Sequence, residues 1–112
     1  MVIRDLTKVR NHIFFCNGDA CQAAGAAEST KAIRKAIKEA GLDESVHSTK
    51  TLCNGRCYDS PVVIVSPGYV WYKEMKAENA AEFVNTVLIR DEILTVKHLH
   101  TGYFELENGE KQ

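Results

Sequence analysis

The spacing of apolar residues in the first part of the chain predicts one strand followed by one helix. The short aromatic segment at residues 12–15 predicts a strand. Residues 29–40 predict an amphipathic helix, because their apolar side chains recur at intervals of three and four: Ile33, Ala36, Ile37 and Ala40. Ser29 or Thr30 is expected to cap this helix, and Gly41 is expected to end it.

The second half of the chain predicts more strands than helices. The predicted elements are a strand over 46–52, a buried strand over 62–65, a return strand over 69–72 and a helix over 77–89. Residues 91–106 have a mixed pattern that fits either a strand or a helix extension. The order β-α-β-β-β-α predicts an α/β fold: a mixed sheet with one parallel crossover, a final hairpin and helices packed on it.

Composition and charge exclude several classes of function. The chain has 112 residues, 45% of them hydrophobic and 26% charged, which is an ordinary globular balance. Its net charge of −1 does not favour a nucleic-acid partner. No stretch approaches the roughly 20 apolar residues of a membrane helix. The first residues have no apolar core or cleavage site of a secretory signal, so a cytoplasmic location is expected.

The four cysteines are the residues that suggest chemistry. Cys16 and Cys21 form a C-x4-C pair, and Cys53 and Cys57 form a C-x3-C pair. Stable disulfides are disfavoured in a reducing compartment, so paired thiolates there more often bind a metal or do redox chemistry. Two such pairs can form a four-thiolate cage, which suits either Zn²⁺ or an iron–sulfur cluster.

The spacing within each pair bears on which metal is bound. Zinc ribbons usually have C-x2-C pairs around one ion, and both spacings here are wider. A plant-type ferredoxin would need a third cysteine where this chain has Ala24. Asn and Gly in both loops tolerate positive φ, which lets backbone N–H groups turn towards sulfur. A two-iron cluster is favoured, and a structural zinc site remains the alternative.

The predicted topology brings the two pairs together. The first predicted strand ends at Cys16, and the second leads into Cys53. Parallel strands in a β-α-β unit have their carboxyl ends at one edge of the sheet, where sites form. Arg56 is expected to offset part of the cluster's negative charge, while Asp19 and Asp59 act against it. A basic helix face is a further candidate, as a solvated surface or a docking patch: Lys31, Arg34, Lys35 and Lys38.

Several motifs in fixed order carry a family resemblance. They are HIFFC, CNGDAC, CNGRC followed by YDSPVVIVSPGYVWY, and then AENAAEFV. With these motifs the chain resembles the thioredoxin-like [2Fe–2S] ferredoxins, which include the Shethna-type ferredoxins and are related to the 24-kDa subunit of NADH dehydrogenase. It departs from the usual family pattern at Ser60 and at Lys76-Ala77. Neither departure is expected to touch a ligand, and both bear on the subgroup to which the chain belongs.

The resemblance implies a function and a set of ligands. It implies a thioredoxin-like domain over residues 1–112, with a core at about 10–90 and an extension at 91–112. It implies a homodimer and an electron-transfer protein that serves partner redox enzymes, without catalytic residues and not an enzyme. The alternatives are a zinc-stabilised interaction module and a protective or regulatory redox partner of one enzyme. The implied ligands of the [2Fe–2S] cluster are Cys16, Cys21, Cys53 and Cys57.

Overall fold

A mixed sheet of five strands forms the centre of the fold in the computed structural model, which describes residues 3–102. The strands are β1 Asn11–Cys16, β2 Val46–Thr51, β3 Val63–Ser66, β4 Val70–Tyr72 and β5 His98–Thr101. Their order across the sheet is β2-β1-β3-β4-β5. β1 and β2 are parallel, and the other neighbours are antiparallel. The predicted mixed sheet with one parallel crossover is confirmed.

Helical segments connect and cover the strands. The α-helices are α1 Asp19–Ala23, α2 Ala26–Glu39 and α3 Ala80–Phe83. A 3-10 turn at Ala77–Asn79 precedes α3, and a π-helical segment at Val84–Ile89 follows it, so the predicted helix over 77–89 is helical throughout. Further 3-10 turns are Leu6–Lys8, Cys57–Asp59 and Thr95–Lys97. Within residues 3–102, every helix is too short or too polar to cross a membrane.

The start of α2 differs from the sequence prediction. The helix begins three residues before the expected cap at Ser29 or Thr30, after Gly25 with φ 98° at the N-cap position. The Ser29 hydroxyl lies inside the helix and donates to the Met75 carbonyl oxygen at 2.6 Å, so a tertiary contact satisfies it. Gly41, with φ 75°, follows the last turn as predicted. The presence of serine and threonine, which often cap helices, therefore did not identify the first residue of α2.

The segment after the last helix supplies a fifth strand that the sequence pattern left open. β5 pairs with β4, with Trp71 opposite His100, and the register shifts between Trp71 and Tyr72. This short strand depends on the free edge of β4, which local sequence does not reveal. The remainder of the mixed pattern, at 103–106, lies outside the described residues, as do the last six residues.

Both faces of the sheet are buried, because β3 sends alternate side chains to two core clusters. Val63 and Val65 join the larger cluster, which also contains the apolar side chains of α2 and α3. Ile64 joins the smaller cluster, which contains Cys16 and Cys21. The continuous apolar run at 62–65 thus gives a buried strand, as predicted. The smaller cluster places apolar packing directly behind two of the cysteines.

Shortening a side chain in the larger cluster should lower stability. Ile33 is fully buried, so Ile33→Val removes one methyl group and is expected to lower the free energy of unfolding by about 0.5–1.5 kcal/mol. Ile89 is 53% exposed, and Ile89→Val is the matched control with a change within about 0.5 kcal/mol. Denaturant titration of both variants measures the difference. Equal losses at the two positions would contradict this assignment of the core.

Candidate metal centre

The parallel pair of strands brings two distant parts of the chain together. β1 ends at Cys16, whose Cα partner on β2 is Thr51, the last residue of that strand. Cys53 follows Thr51 by two residues. The four cysteines are free thiols and line one cavity at this edge of the sheet. The predicted convergence of the two pairs is confirmed.

The first pair is buried by a tight connection between β1 and α1. Cys16 is 4% exposed and Cys21 is 2% exposed. Asn17, directly after β1, donates its backbone N–H to the Thr51 carbonyl oxygen at 2.8 Å, which ties the connection to β2. α1 then begins at Asp19 and returns Cys21 to the same side as Cys16. This short helix sets the position of the second thiol. The Ala- and Gly-rich composition of residues 20–27 fits either a loop or an irregular helix start, and the structure shows helix here.

The second pair lies on an exposed loop. The Sγ atoms of Cys53 and Cys57 are 3.8 Å apart. Gly55 adopts φ 84° between them, and its N–H donates to Cys53 Sγ at 3.3 Å. A glycine at positive φ thus turns a backbone donor towards sulfur, as the sequence predicted. Cys57 begins a 3-10 turn, so both thiols of the exposed pair are held by backbone geometry.

Gly18 has a different role from the one predicted. Its φ is −67°, which any residue adopts, so positive φ does not explain the glycine. A Cβ at this position would lie 2.8 Å from Cys53 Cα and 2.9 Å from Cys53 Cβ. Glycine is therefore required because the two cysteine loops touch here. The contact is tertiary, and no local sequence pattern indicates it.

Burial and hydrogen bonds act against each other on the first pair. Burial disfavours the thiolate of Cys16 and acts to raise its pKa. Hydrogen bonds from the Gly18 N–H, the Asn54 side chain, the Cys21 thiol and the Asn54 backbone together outweigh burial, so the pKa of Cys16 is lowered. At Cys21 burial dominates and raises the pKa, although the thiol is 3.2 Å from the Ser60 hydroxyl. Cys16 is therefore the thiol of this pair that ionises more easily.

The exposed pair shows mutual coupling. The hydrogen bond between the two thiols, and then the charge of the Cys53 thiolate, raise the pKa of Cys57. Like charges at this distance disfavour two free thiolates. A bound metal cation removes that cost, because a coordinating thiol is deprotonated outright. The pair is thus arranged for a cation.

The charged side chains beside the cysteines pair with each other. Arg56 lines the cavity, and its guanidinium lies 2.8 Å from Asp59 Oδ2. Sequence analysis assigned these two residues opposing effects on the centre, and the structure joins them in one ion pair. Asp19, the other acidic candidate, is exposed at the start of α1. The charge of Arg56 is therefore largely compensated at the site.

The kind and arrangement of the possible ligand atoms decide whether an iron–sulfur cluster fits the site. In the described part of the chain, no group of three His, Cys, Asp or Glu side chains is placed to hold a single metal ion. The four sulfur atoms instead surround the cavity as two pairs. Sulfur is the soft donor that iron–sulfur clusters use, and a two-iron cluster takes two thiolates at each iron. The residues present fit a [2Fe–2S] cluster.

The basic helix face lies apart from the cysteines. Arg34 and Lys38 line a separate cavity together with Arg4. The Arg34 guanidinium Nε donates to the Ser48 hydroxyl at 2.9 Å, and the group lies over the Phe15 ring. None of these basic residues lines the cysteine cavity. The structure does not bring this candidate into the site.

Two residues at the site were not predicted to act there. The Ser60 hydroxyl contacts Cys21 Sγ and donates to the Cys57 carbonyl oxygen at 2.8 Å, so it bridges the two pairs. The Asn54 side chain contributes to stabilising the Cys16 thiolate. The sequence signal for a role at the site was that Asn54 and Ser60 lie close to Cys53 and Cys57 in the chain. The direction in which each side chain points depends on the folded loop.

Fold and site together define a small α/β protein with four free thiols at the ends of two parallel strands. The model of the thioredoxin-like [2Fe–2S] ferredoxin family matches residues 3–88, a range that includes all four cysteines. The chain belongs to this family. The family resemblance and the fold class predicted from the sequence are confirmed.

Individual relatives agree with the family assignment. A protein of Priestia megaterium, provisionally named a 2Fe-2S ferredoxin, is 38% identical over 110 residues, which span 95% of this chain and 86% of the relative. A 2Fe-2S ferredoxin of Clostridium pasteurianum is 27% identical over 93 residues, or 76% and 91% of the two chains. The thioredoxin-like [2Fe-2S] ferredoxin of Aquifex aeolicus superposes with a TM-score of 0.81 at 28% identity, covering 85% and 94%.

The family assignment establishes the cofactor and the general function. Thioredoxin-like [2Fe–2S] ferredoxins carry a [2Fe–2S] cluster and act in electron transfer with redox partners. Ferredoxin electron carriers are generally not enzymes. The predicted cofactor and the predicted function of electron transfer are therefore confirmed at the level of the family.

Proposed function

We propose that this chain is a one-electron carrier whose cluster is held by Cys16, Cys21, Cys53 and Cys57. The observation that supports the proposal is the shared cavity, which four free thiols line at the carboxyl ends of two parallel strands. When bound there, the cluster supplies a centre that takes up and releases one electron at a time. The protein's own residues hold, shield and tune that centre.

The two sides of the proposed cluster site differ in their exposure to solvent. Cys16 and Cys21 are packed against apolar side chains that include Val62 and Ile64. Cys53 and its partner in the second pair face solvent. Reduction adds one negative charge, and water stabilises a charge better than an apolar interior does. The exposed pair is therefore the side at which added charge is least costly and a partner comes nearest.

A spectroscopic experiment tests the proposal directly. Visible absorption of the freshly purified protein is recorded before and after dithionite, with iron, zinc and sulfide measured on the same sample. We expect a red-brown protein that bleaches on reduction and contains about two irons and two sulfides per chain. A colourless protein with about one zinc per chain, also after anaerobic purification, would contradict the proposal and favour a zinc-stabilised module.

We also propose that the chain has no substrate of its own and is not an enzyme, works in the cytoplasm and forms a homodimer. The relatives named as ferredoxins support the first statement. Four free thiols are typical of a reducing compartment, which supports the second. The family resemblance supports the third. Light scattering after size-exclusion chromatography tests the dimer, and the mass of a single chain would contradict it.

Arg56 and Asp59 should shift the reduction potential in opposite directions. Asp59→Asn leaves the positive charge uncompensated beside the cysteines and should raise the potential, because that charge favours the more negative reduced state. Arg56→Gln should lower it. Each shift is on the order of tens of millivolts, since both side chains are partly screened by water. A dithionite titration followed by visible absorption measures both potentials.

A charge change far from the cysteines serves as the control for this pair. Glu44 is exposed and lies 3.6 Å from Lys8, and neither lines the cysteine cavity. Glu44→Gln alters the total charge by the same amount as Asp59→Asn and should leave the potential unchanged. Shifts of the same sign in Asp59→Asn and Arg56→Gln, or an equal shift in Glu44→Gln, would refute a local electrostatic effect.

A further inference from the structure

Two large apolar side chains are largely or fully exposed to solvent beside the exposed cysteines. Leu52, directly before Cys53, is 82% exposed, and Tyr58, directly after Cys57, is 102% exposed. Side chains of this size are usually buried at least in part, and a cluster of exposed apolar residues around a site indicates an interaction surface. We call the surface formed by Leu52, Cys53, Cys57 and Tyr58 the loop face.

The loop face carries little net charge. Arg56 lies between the two cysteines, but Asp59 neutralises it at 2.8 Å. The next exposed charges on the adjoining segments are Lys50 and Asp19, which have opposite signs. The basic residues Arg34 and Lys38 of α2 line another cavity. A strongly charged partner surface therefore meets no surface of opposite charge on the loop face. An uncharged, apolar partner surface fits the loop face better.

The opposite side of the centre is closed to a partner. Cys16 and Cys21 are almost completely buried, and Ile64 and partly buried Trp71 pack in the same cluster. A redox centre in another protein can therefore approach most closely across the exposed pair. Redox encounters use small interfaces, below about 1,200 Å², in which a few side chains such as tyrosine dominate.

We propose that the loop face is the docking surface for the redox partner, and that it takes an uncharged, apolar surface surrounding the partner's own redox centre. The inference rests on the proposed function, because it assigns the exposed cysteines to the cluster. Leu52 and Tyr58 supply the apolar contact on either side of the exposed pair. With the cluster bound, one electron would cross this contact, lost by the donor and gained by the acceptor.

Electrodes coated with alkanethiol monolayers test this chemistry without a natural partner. The holoprotein is examined by voltammetry on methyl-terminated, carboxylate-terminated and ammonium-terminated gold. We expect the fastest electron transfer on the methyl surface, with little dependence on salt, because apolar contact is not screened. Faster transfer on the carboxylate or the ammonium surface would overturn the proposal, the carboxylate result pointing instead to the basic face of α2.

A double variant tests the two side chains. Leu52→Ser with Tyr58→Ser should reduce the electron-transfer rate on the methyl surface by about tenfold. Both side chains are exposed, so the variant should keep the parent's Tm and visible spectrum. Ile89→Ser with Val96→Ser is the matched control, since these residues are 53% and 71% exposed away from the cysteines, and it should keep the parent rate.

The outcomes separate failure of the docking surface from failure of the proposed function. A double variant with unchanged rate would overturn the docking surface, and so would an equal loss of rate in the control variant. A double variant that dissociates a dimer without changing the rate would show that a second copy covers this face, which also overturns it. Absence of a dithionite-reducible cluster in the parent protein would instead contradict the proposed function.

Discussion

Replacement of Cys57 by serine is expected to change the visible spectrum of the protein and to lower its iron content. A serine hydroxyl is a harder ligand than a thiolate and ionises much less readily, so it binds iron less well. Loss of one direct ligand should cost at least about tenfold in metal affinity, since changes in the residues that merely support ligands already cost that much. Iron analysis and absorption spectra of the purified variant measure the effect.

The buried pair should be more sensitive than the exposed pair. Cys21 is 2% exposed, and burial already raises the pKa of its thiol. A serine in the same place would be harder still to ionise, and water has little access to replace the lost ligand. Cys21→Ser should therefore retain less iron than Cys57→Ser. Ala40→Ser, on the exposed residue that caps the end of α2, is the control and should keep the parent spectrum.

Either cysteine variant is able to refute the ligand assignment. A Cys57→Ser or Cys21→Ser protein with unchanged spectrum and iron content would remove that residue from the proposed set of ligands. Circular dichroism on the same samples checks that the fold is intact, so that cluster loss is distinguished from unfolding. A folded variant with lost iron is the result that supports the assignment.

Gly18→Ala should prevent normal assembly of the centre although alanine suits the backbone at this position. The added Cβ would lie 2.8 Å from Cys53 Cα, closer than such atoms approach, so one of the two cysteine loops must move. Overpacking of this kind costs about 1–3 kcal/mol. The displacement falls directly on a proposed ligand. We expect a lower iron content per chain and a lower free energy of unfolding.

Gly41→Ala separates the effect on the site from the effect on stability. Gly41 has φ 75°, and a Cβ there meets no atom within 4 Å. Alanine in this left-handed conformation costs about 1–2 kcal/mol without touching the cysteines. Gly41→Ala should thus lose stability and keep its full iron content. Equal iron content in the two glycine variants would contradict the proposed role of the contact between Gly18 and Cys53.

The sequence by itself was sufficient for most of the sheet, including β1 and β2, which lead to the two cysteine pairs. Apolar segments at 12–15 and 62–65 became β1 and β3 because their β-branched and aromatic side chains are buried on a sheet. The spacing of the apolar residues in α2 likewise predicted its buried face, where Ile33 and Ile37 lie. With the topology rule for parallel strands, these local patterns already predicted the convergence of the two cysteine pairs.

The roles of Ser29 and Gly18 in the folded protein could not be predicted from the sequence. Ser29 was predicted as a helix cap, but its hydroxyl bonds to the Met75 carbonyl oxygen, 46 positions along the chain. Gly18 was predicted to provide positive φ, but it provides room for Cys53. Both residue types have several uses, and the one that applies depends on atoms brought close by folding.

The sequence thus determined the cysteine pairs, the order of the elements apart from the short helix α1 and the strand β5, and the family to which the chain belongs, because spacing and periodicity are local properties. Only the tertiary structure decided that Cys16 and Cys21 are buried while Cys53 and Cys57 face solvent. It also decided that Leu52 and Tyr58 stay exposed beside them. Burial is set by which surfaces of distant segments pack together, and this packing gives the centre one closed side and one open side.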